Sequence, residues 1–261
     1  APGRKGGLLV GLAAFALFTL DPATGTARRI GDDAVPGRNV SAVIHDPDGD
    51  GTWIATSDRG AFRWDGRTGF EHLGPSEGLP DARVWSVLVD REGIVWLGTD
   101  SGLAKRGATA FRTFGPEDGL PAASPLYGMA ETPGGVLWFG AHDRGLLRRN
   151  PDGTFRLFTN RDGLPHTEVR SFCVTPDGEL VATTFRGAVR IAGDRVLPFR
   201  LPEGAPGAID KIAFRPDGTL LLGSARQGLF VVREGALSRI GQPVGDSVSV
   251  IHAGRRGTVW I

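Results

Sequence analysis

A motif of glycine, apolar residues and tryptophan recurs along this chain about every 42 residues, and this repeat restricts the possible folds more than any other feature. The clearest copy is Gly93-Ile94-Val95-Trp96-Leu97-Gly98-Thr99, and two further copies place Trp53 and Trp138 at the position of Trp96. Seven positions align in this way: Leu9, Trp53, Trp96, Trp138, Val181, Leu221 and Trp260. Intervals of 39–44 residues between them indicate one supersecondary unit that is repeated along the chain.

Each repeat contains four short apolar segments separated by turns. In the clearest copy, an alternating segment starts at Val84, the tryptophan segment follows, and two more segments come after a polar loop that ends in Gly102. The 40 glycines and 18 prolines of the 261 residues supply the turns, and sequences such as Gly78-Leu79-Pro80 connect the repeats. Four strands in about 42 residues are typical of a β-propeller blade. Since no segment has an apolar period of 3.6 residues, we predict an all-β propeller of four-stranded antiparallel blades without helices.

Six repeats are present, and we predict that residues 1–261 form a single propeller domain. The innermost strands of the blades are expected to start near six apolar residues: Val40, Val84, Leu126, Val169, Ile209 and Val248. The last of these strands can complete the first blade, which gives a six-bladed ring. Alternatively, the chain is a fragment of a seven-bladed or larger array. We favour the fragment, because the chain starts without Met and stops within a motif at Trp260-Ile261.

The apolar stretch Leu8–Leu20, which follows Arg4 and Lys5, has two interpretations. A basic start and 13 apolar residues are typical of a signal peptide, and this length is too short to cross a bilayer. The stretch also stays in phase with the repeats. We therefore predict that it forms the first two strands of the array rather than a leader.

Charge and cysteine content exclude several partners. With 30 basic and 29 acidic residues and no run of like charge, the chain is not expected to bind nucleic acid or to insert directly into a membrane. The single cysteine, Cys173, excludes an intrachain disulfide and a cysteine-based zinc site. The five histidines show no metal-ligand spacing, and no nucleophile or phosphate-binding motif is present, so no cofactor is expected.

The sequence Arg91-Glu92-Gly93-Ile94-Val95-Trp96-Leu97-Gly98-Thr99-Asp100-Ser101-Gly102-Leu103, together with the preceding Gly-Leu-Pro and valine-rich strand, resembles the two-component regulator propeller repeat. The likeness covers nearly the whole chain and is weakest around Val181 and Leu221, where tryptophan is absent. Propellers of this family form the periplasmic sensor region of membrane-bound hybrid histidine kinases, often in saccharide-responsive systems. The resemblance therefore implies a bacterial, extracytoplasmic sensing domain, and the kinase, receiver and membrane segments of such proteins are not in this chain.

The repeat also indicates where a ligand could bind, because positions that are alike in every unit build the blade and polar positions that vary are free for function. The residue after each innermost-strand start varies in this way and reads Ser41, Trp85, Tyr127, Arg170 and Asp210. We expect the loop after each second strand to open on the same face, and these loops contribute Asp58, Arg59, Asp100, His142, Arg144, Arg186 and Arg226. Aromatic rings with Arg and Asp at the channel mouth suit a sugar or a small anion. The alternative is that these are solvated loop residues and that Trp85 and Tyr127 only pack between blades.

The segment Asp46-Pro47-Asp48-Gly49-Asp50-Gly51 has the spacing of the start of a calcium-binding loop. Position twelve of such a loop would be Ser57 instead of glutamate, and the segment lies where other repeats have a hairpin turn. We therefore interpret it as a turn and keep Asp46, Asp48 and Asp50 as a weak calcium candidate.

The sequence thus favours a non-catalytic sensor that binds a small molecule or saccharide and passes the signal to domains of its parent chain or to another protein. A protein-interaction scaffold is the first alternative. A propeller lyase or hydrolase that uses His142, His166 and Glu168 is the second. The five tryptophans Trp53, Trp64, Trp96, Trp138 and Trp260 are predicted to be structural.

Overall fold

The computed structural model describes residues 8–12, 16–20, 27–29, 40–45, 51–65, 69–107, 110–122, 124–215, 217–224, 226–240, 252–253 and 259–260. Strands dominate this part of the chain, and its helical content is limited to three 3-10 helices of three residues each. The prediction of an all-β chain is confirmed. The predicted absence of helices is wrong for the three short turns that connect repeats.

In the part of the chain that the structure describes, five four-stranded sheets follow one another, and each is built from four consecutive strands in sequence order. Their strands are β4 (Val40–His45), β5 (Thr52–Thr56), β6 (Gly60–Trp64) and β7 (Phe70–Leu73); β8 (Val84–Val89), β9 (Val95–Thr99), β10 (Gly102–Arg106) and β11 (Phe111–Phe114); β12 (Leu126–Thr132), β13 (Val136–Ala141), β14 (Gly145–Arg149) and β15 (Phe155–Phe158); β16 (Val169–Val174), β17 (Leu180–Thr184), β18 (Gly187–Ala192) and β19 (Arg195–Phe199); β20 (Lys211–Phe214), β21 (Leu220–Ser224), β22 (Gly228–Arg233) and β23 (Ala236–Ile240). This is the predicted blade, and each sheet is called a blade below.

Two smaller sheets lie towards the ends of the chain. The first contains β1 (Leu8–Leu12), β2 (Ala16–Leu20) and β3 (Ala27–Arg29), so the predicted first two strands are present. The second pairs β24 (His252–Ala253) with β25 (Val259–Trp260). Most of the strand predicted to start at Val248 lies outside the described residues, and the strand expected near Ile209 starts two residues later, at Lys211.

The chain divides into two compact units, residues 1–129 and 130–261, and the boundary falls within β12. The first unit contains the blades formed by β4–β7 and β8–β11, and the second contains those formed by β16–β19 and β20–β23. That residues 1–261 form a single domain stays a prediction.

The core lies between neighbouring blades, on both faces of each second strand. All five residues of β5, β9, β17 and β21 are buried. In β17, Leu180 and Ala182 pack with Trp138 of the preceding blade, whereas Val181 packs with Leu222 of the following blade. A strand that is covered on both faces needs a continuous apolar run, which is why the tryptophan motif does not alternate. Trp53, Trp96 and Trp138 are at most 4 % exposed, which confirms their predicted place in the core.

The Gly-Leu-Pro sequences form the connection that brings the chain to the next innermost strand. Each 3-10 helix, Pro75–Glu77, Pro116–Asp118 and Asn160–Asp162, is followed directly by the glycine. Gly78 has a φ of +99°, a left-handed conformation that other residues adopt only with strain. The leucine after it, Leu79, is 4 % exposed and joins the core. The turn therefore fixes where the residues ahead of the strand lie.

Candidate functional site

In the innermost strands β4, β8 and β16, the variable residue near the start of the strand occupies a β-bulge. In β4 the pairing with β5 shifts between Val40 and Ala42, and Ser41 is the extra residue. The same shift makes Trp85 the extra residue in β8 and Arg170 the extra residue in β16. A bulge redirects one side chain out of the regular alternation of a strand, and bulges are common beside functional sites. Strand pairing therefore does not constrain the residue type at this variable position.

In the first unit, five residues form a group that we call the Trp85 cluster: Asp81, Arg83, Trp85, Asp100 and Tyr127. The indole Nε1–H of Trp85 donates to Oδ1 of Asp100 over 2.5 Å. The guanidinium of Arg83 is 2.7 Å from Oδ2 of the same carboxylate. The rings of Trp85 and Tyr127 meet edge to face, with centroids 5.1 Å apart and an angle of 87°. Tyr127 is 41 % exposed, so the cluster presents an aromatic surface to solvent.

The charges of the Trp85 cluster are largely satisfied within it. Asp81 lies 3.7 Å from Arg83 and accepts a hydrogen bond from the hydroxyl of Ser101. One guanidinium and two carboxylates give the cluster a formal charge of −1. Because Arg83 is more than half exposed, its ion pairs are screened by water and contribute little to stability.

In the second unit, the equivalent group is the Arg170 cluster: His166, Glu168, Arg170, Phe185 and Asp210. Arg170 donates from Nε to Glu168 over 3.1 Å and from Nη1 to Asp210 of the next blade. The guanidinium also lies over the ring of Phe185, 5.0 Å from its centroid. The imidazole of His166 is 5.5 Å from the same ring. Phe185 is 49 % exposed, so this cluster also combines paired charges with an exposed aromatic ring.

Backbone hydrogen bonds place the loop after the second strand beside the bulge in both units. The N–H of Asp100 donates to the carbonyl of Arg83 over 3.2 Å, and the N–H of Phe185 donates to the carbonyl of Glu168 over the same distance. The structure thus brings Trp85, Asp100 and Tyr127 together in one unit. It brings Arg170 and Asp210 together in the other.

The other predicted site residues lie outside these two clusters. Ser41 donates from its hydroxyl to the carbonyl of Val84, which ties its blade to the next one. His142 lies 3.4 Å from Asp143, which has a left-handed φ of +54°. The remaining five are exposed loop residues: Asp58, Arg59, Arg144, Arg186 and Arg226. For these five the structure shows accessibility but no shared site.

Sequence reasoning missed Asp81, Arg83 and Phe185, and it named His166 and Glu168 only as catalytic candidates and not as binding residues. Arg83 and Glu168 share one position, five residues after the glycine of Gly-Leu-Pro, and both vary while staying charged. Phe185 occupies the loop position of Asp100. Asp81 and His166 likewise share the position three residues after that glycine, and the test of varied but polar or aromatic positions, applied to these three positions of the repeat, would have found all five residues.

Two further predictions concern metals and membranes. Asp46, Asp48 and Asp50 lie outside the described residues. Within the ranges that are described, no group of three or more His, Cys, Asp and Glu side chains is placed to hold a metal ion. Over the same ranges, no helix has the length and apolar character needed to cross a membrane.

Successive four-stranded blades, each with a second strand buried on both faces, define this chain as a β-propeller. Residues 78–101 match the family model described as two component regulator propeller, which confirms the resemblance found in the sequence. The matched segment runs from the Gly-Leu-Pro turn to the second-strand loop and contains most of the Trp85 cluster. No curated protein matches the sequence significantly.

Solved structures share the fold at low sequence identity. The extracellular domain of a protein described as a hybrid two component system of B. thetaiotaomicron is 16 % identical, with a TM-score of 0.81, and the match covers all of this chain and 37 % of that one. The extracellular domain of a protein described as a one component system of the same organism is 12 % identical, with a TM-score of 0.69, over 97 % and 42 % of the two chains. A catalytically inactive virginiamycin B lyase from Staphylococcus aureus, crystallised with quinupristin, is 14 % identical, with a TM-score of 0.73, over 91 % and 81 %. This chain therefore spans less than half the length of the two extracellular domains.

Proposed function

We propose that this propeller is the ligand-sensing part of a bacterial signalling protein of the two-component type and that it acts in the periplasm. Its ligand is a small molecule or saccharide, bound on the face where the bulge residues and the second-strand loops lie. The observation that supports this most is that each unit places an exposed aromatic ring among paired charges beside one of its bulge residues. The fold shared with extracellular domains of such signalling proteins supports the setting.

The chemistry of the two clusters suits a polyhydroxylated ligand. Exposed rings such as Tyr127 and Phe185 offer flat apolar surfaces to C–H patches. Carboxylates accept hydrogen bonds from hydroxyl groups, and guanidinium groups donate to hydroxyl oxygens. Both clusters are held by backbone hydrogen bonds of the blade, so little order has to be gained on binding.

The proposal is tested by titrating the purified chain with a panel of neutral and acidic oligosaccharides in a calorimeter. We expect at least one to bind, and Trp85→Ala or Arg170→Ala to weaken binding about tenfold or more. Arg195→Ala removes an exposed arginine of β19 outside both clusters and serves as the matched control. Binding of no oligosaccharide would contradict a saccharide as the ligand, and binding that neither substitution weakens would contradict the proposed site.

A protein-interaction scaffold would use the same face without a small ligand. In that case neither the wild-type chain nor the variants bind any oligosaccharide. Trp85→Ala and Arg170→Ala instead reduce capture of the downstream signalling segment of the parent protein. Capture of that segment by the wild-type chain, measured beside the titrations, separates the two functions.

A lyase is a further candidate, because the fold is shared with virginiamycin B lyase and His166 lies next to Glu168. The structure gives both side chains other partners. Nδ1 of His166 accepts the backbone N–H of Glu168 over 3.0 Å, and the Glu168 carboxylate pairs with Arg170. We therefore expect the wild-type chain to show no lyase activity on quinupristin. Turnover that is lost in His166→Ala would support the enzyme instead.

A further inference from the structure

The ring of Phe185 is held in place although it is half exposed. It is 49 % exposed, more than any other large hydrophobic side chain in the described part of the protein. An isolated exposed apolar residue needs no explanation, but this ring is fixed from several sides. The guanidinium of Arg170 covers it at 5.0 Å, His166 lies at 5.5 Å, and the Phe185 backbone N–H is bonded to Glu168. Such a ring is a preorganised surface that loses little freedom when a ligand stacks on it.

The arginine beside this ring is already neutralised. Its side chain is 23 % exposed and contacts the carboxylates of both Glu168 and Asp210. One positive and two negative groups leave a formal charge of −1 on the cluster. An incoming anion would have to compete with two carboxylates for one guanidinium, so the arginine does not make this an anion site.

Hydrogen-bonding groups of both kinds remain next to the ring. Nε and Nη1 of Arg170 are used by Glu168 and Asp210, whereas Nη2 has no hydrogen-bond partner among the residues that the structure describes. Each carboxylate oxygen accepts more than one hydrogen bond. A hydroxyl group both donates and accepts, so adjacent hydroxyls of a sugar match a carboxylate and a guanidinium placed side by side.

We propose that the Arg170 cluster binds an uncharged sugar ring, that Phe185 stacks on its C–H face, and that the cluster selects against uronic acids. Glu168, Asp210 and Arg170 bind the hydroxyls. The inference rests on the proposed function, because it takes this face to be the ligand site. A uronate would bring a third carboxylate to a guanidinium that two carboxylates already hold, and it would have to displace one of them, which is the source of the selectivity.

The experiment compares matched neutral and acidic probes. Maltotriose, cellotriose and xylotriose are titrated against trigalacturonate for the wild-type chain, Phe185→Ala, Phe185→Tyr and the double variant Glu168→Gln/Asp210→Asn. We expect a neutral trisaccharide to bind at least about tenfold more tightly than trigalacturonate. Phe185→Ala should weaken that binding about tenfold or more, and Phe185→Tyr should stay within about threefold of wild type. The double variant should narrow the preference for neutral probes.

The variants are expected to fold, because Phe185 is half exposed, and the melting temperature of each checks this. A preference for trigalacturonate would overturn the inference while the proposed function stands. The same holds if Trp85→Ala abolishes the binding of neutral probes and Phe185→Ala leaves it intact. Binding of none of the four probes would overturn the inference, whereas the saccharide part of the proposed function would fall only if the wider panel of oligosaccharides also failed to bind. If Phe185→Ala and Phe185→Tyr weaken sugar binding to the same extent, stacking on the ring is not the interaction, and the inference is overturned.

Discussion

The Trp85 cluster and the Arg170 cluster occupy the same positions of two repeats and fill them with opposite chemistry. The bulge carries an aromatic ring in the first unit, Trp85, and a charge in the second, Arg170. The second-strand loop carries a charge in the first unit, Asp100, and an aromatic ring in the second, Phe185. In each case the residue at the bulge contacts the residue in the loop of its own repeat. Both repeats therefore keep one aromatic residue in contact with one charged residue, but the bulge and the loop exchange these two residue types.

The backbone around both clusters is the same, and this explains why the exchange is tolerated. The N–H of Arg83 donates to the side chain of Asp81 over 2.9 Å, and the N–H of Glu168 donates to the side chain of His166 over 3.0 Å. The hydrogen bond from the second-strand loop is likewise present in both repeats. The repeat thus fixes where these side chains start, and leaves their chemistry free.

The largest predicted effect concerns Cys173, on the innermost strand that carries Arg170. Burial raises the pKa of this thiol to about 12, with a backbone hydrogen bond from Phe214 acting weakly in the opposite direction. At pH 8 the thiolate is then about a thousandfold rarer than for an ordinary cysteine, whose pKa is about 8.5. We expect alkylation by iodoacetamide to be slower by about that factor in the native chain and to reach the normal rate in urea. Rapid labelling without denaturant would show that the strand bearing Arg170 opens in the native chain.

The next effect compares the hairpin turns of the two units. Asp90 is buried and accepts from the Trp96 indole over 2.8 Å and from the N–H groups of Glu92 and Ile94. At the equivalent position, the Thr132 hydroxyl accepts from the Trp138 indole over 3.1 Å and donates to the carbonyl of Val136 over 3.3 Å. Asp90→Ala leaves three donors without this acceptor and should lower the free energy of unfolding by about 3 kcal/mol, against about 1 kcal/mol for Thr132→Ala.

Urea unfolding followed by tryptophan fluorescence measures both losses. Asp90→Asn is the control, because an amide oxygen keeps part of the acceptor function and should recover part of the stability. Equal losses for Asp90→Ala and Thr132→Ala would mean that the number of hydrogen bonds at this position does not set the stability of the turn.

A smaller effect is expected when one cluster is given the chemistry of the other. The four substitutions Asp81→His, Arg83→Glu, Trp85→Arg and Asp100→Phe place the second unit's side chains in the first. Because the backbone hydrogen bonds remain and the new glutamate and arginine can pair as Glu168 and Arg170 do, the free energy of unfolding should fall by only about 1–2 kcal/mol. Thermal unfolding by circular dichroism checks this. Loss of cooperative unfolding would show that the two frameworks are not interchangeable.

The smallest effect is the acid sensitivity of a surface ion pair in the second unit. Asp194 has a pKa below its ordinary value of 3.8, chiefly because Arg148 donates a hydrogen bond to it, with Arg156 adding further attraction. A lowered folded pKa stabilises the protein above the unfolded pKa, and this stabilisation is lost as the pH falls through the folded pKa. Wild type should therefore lose more stability than Asp194→Asn below about pH 4, as melting temperatures across pH 3–6 would show. A wild type and variant that respond identically would mean that this exposed pair contributes nothing.

The sequence predicts the blades well because residues of fixed type recur at fixed intervals along the chain. Trp96 and its equivalents must lie between sheets, and Gly78 must turn the chain, so both are visible as fixed residues at fixed intervals. The bulge is different. Its occupants Ser41, Trp85 and Arg170 share no residue type that favours a bulge, so only the variation between repeats pointed to the place. The contacts made by Arg83 and Phe185 depend on which neighbouring side chain faces them, and one-dimensional spacing does not contain that information.

The bulge also has a consequence for how the length of this chain can change. Val84 pairs with Thr99 and Ser86 pairs with Gly98, so Trp85 has no partner of its own in the ladder. Deletion of that one codon would join the two pairs into a regular antiparallel register and leave every buried residue on its present face. Deletion elsewhere in the strand would turn its side chains to the opposite face. Insertions and deletions can therefore enter these repeats at the position whose side chain belongs to the candidate site.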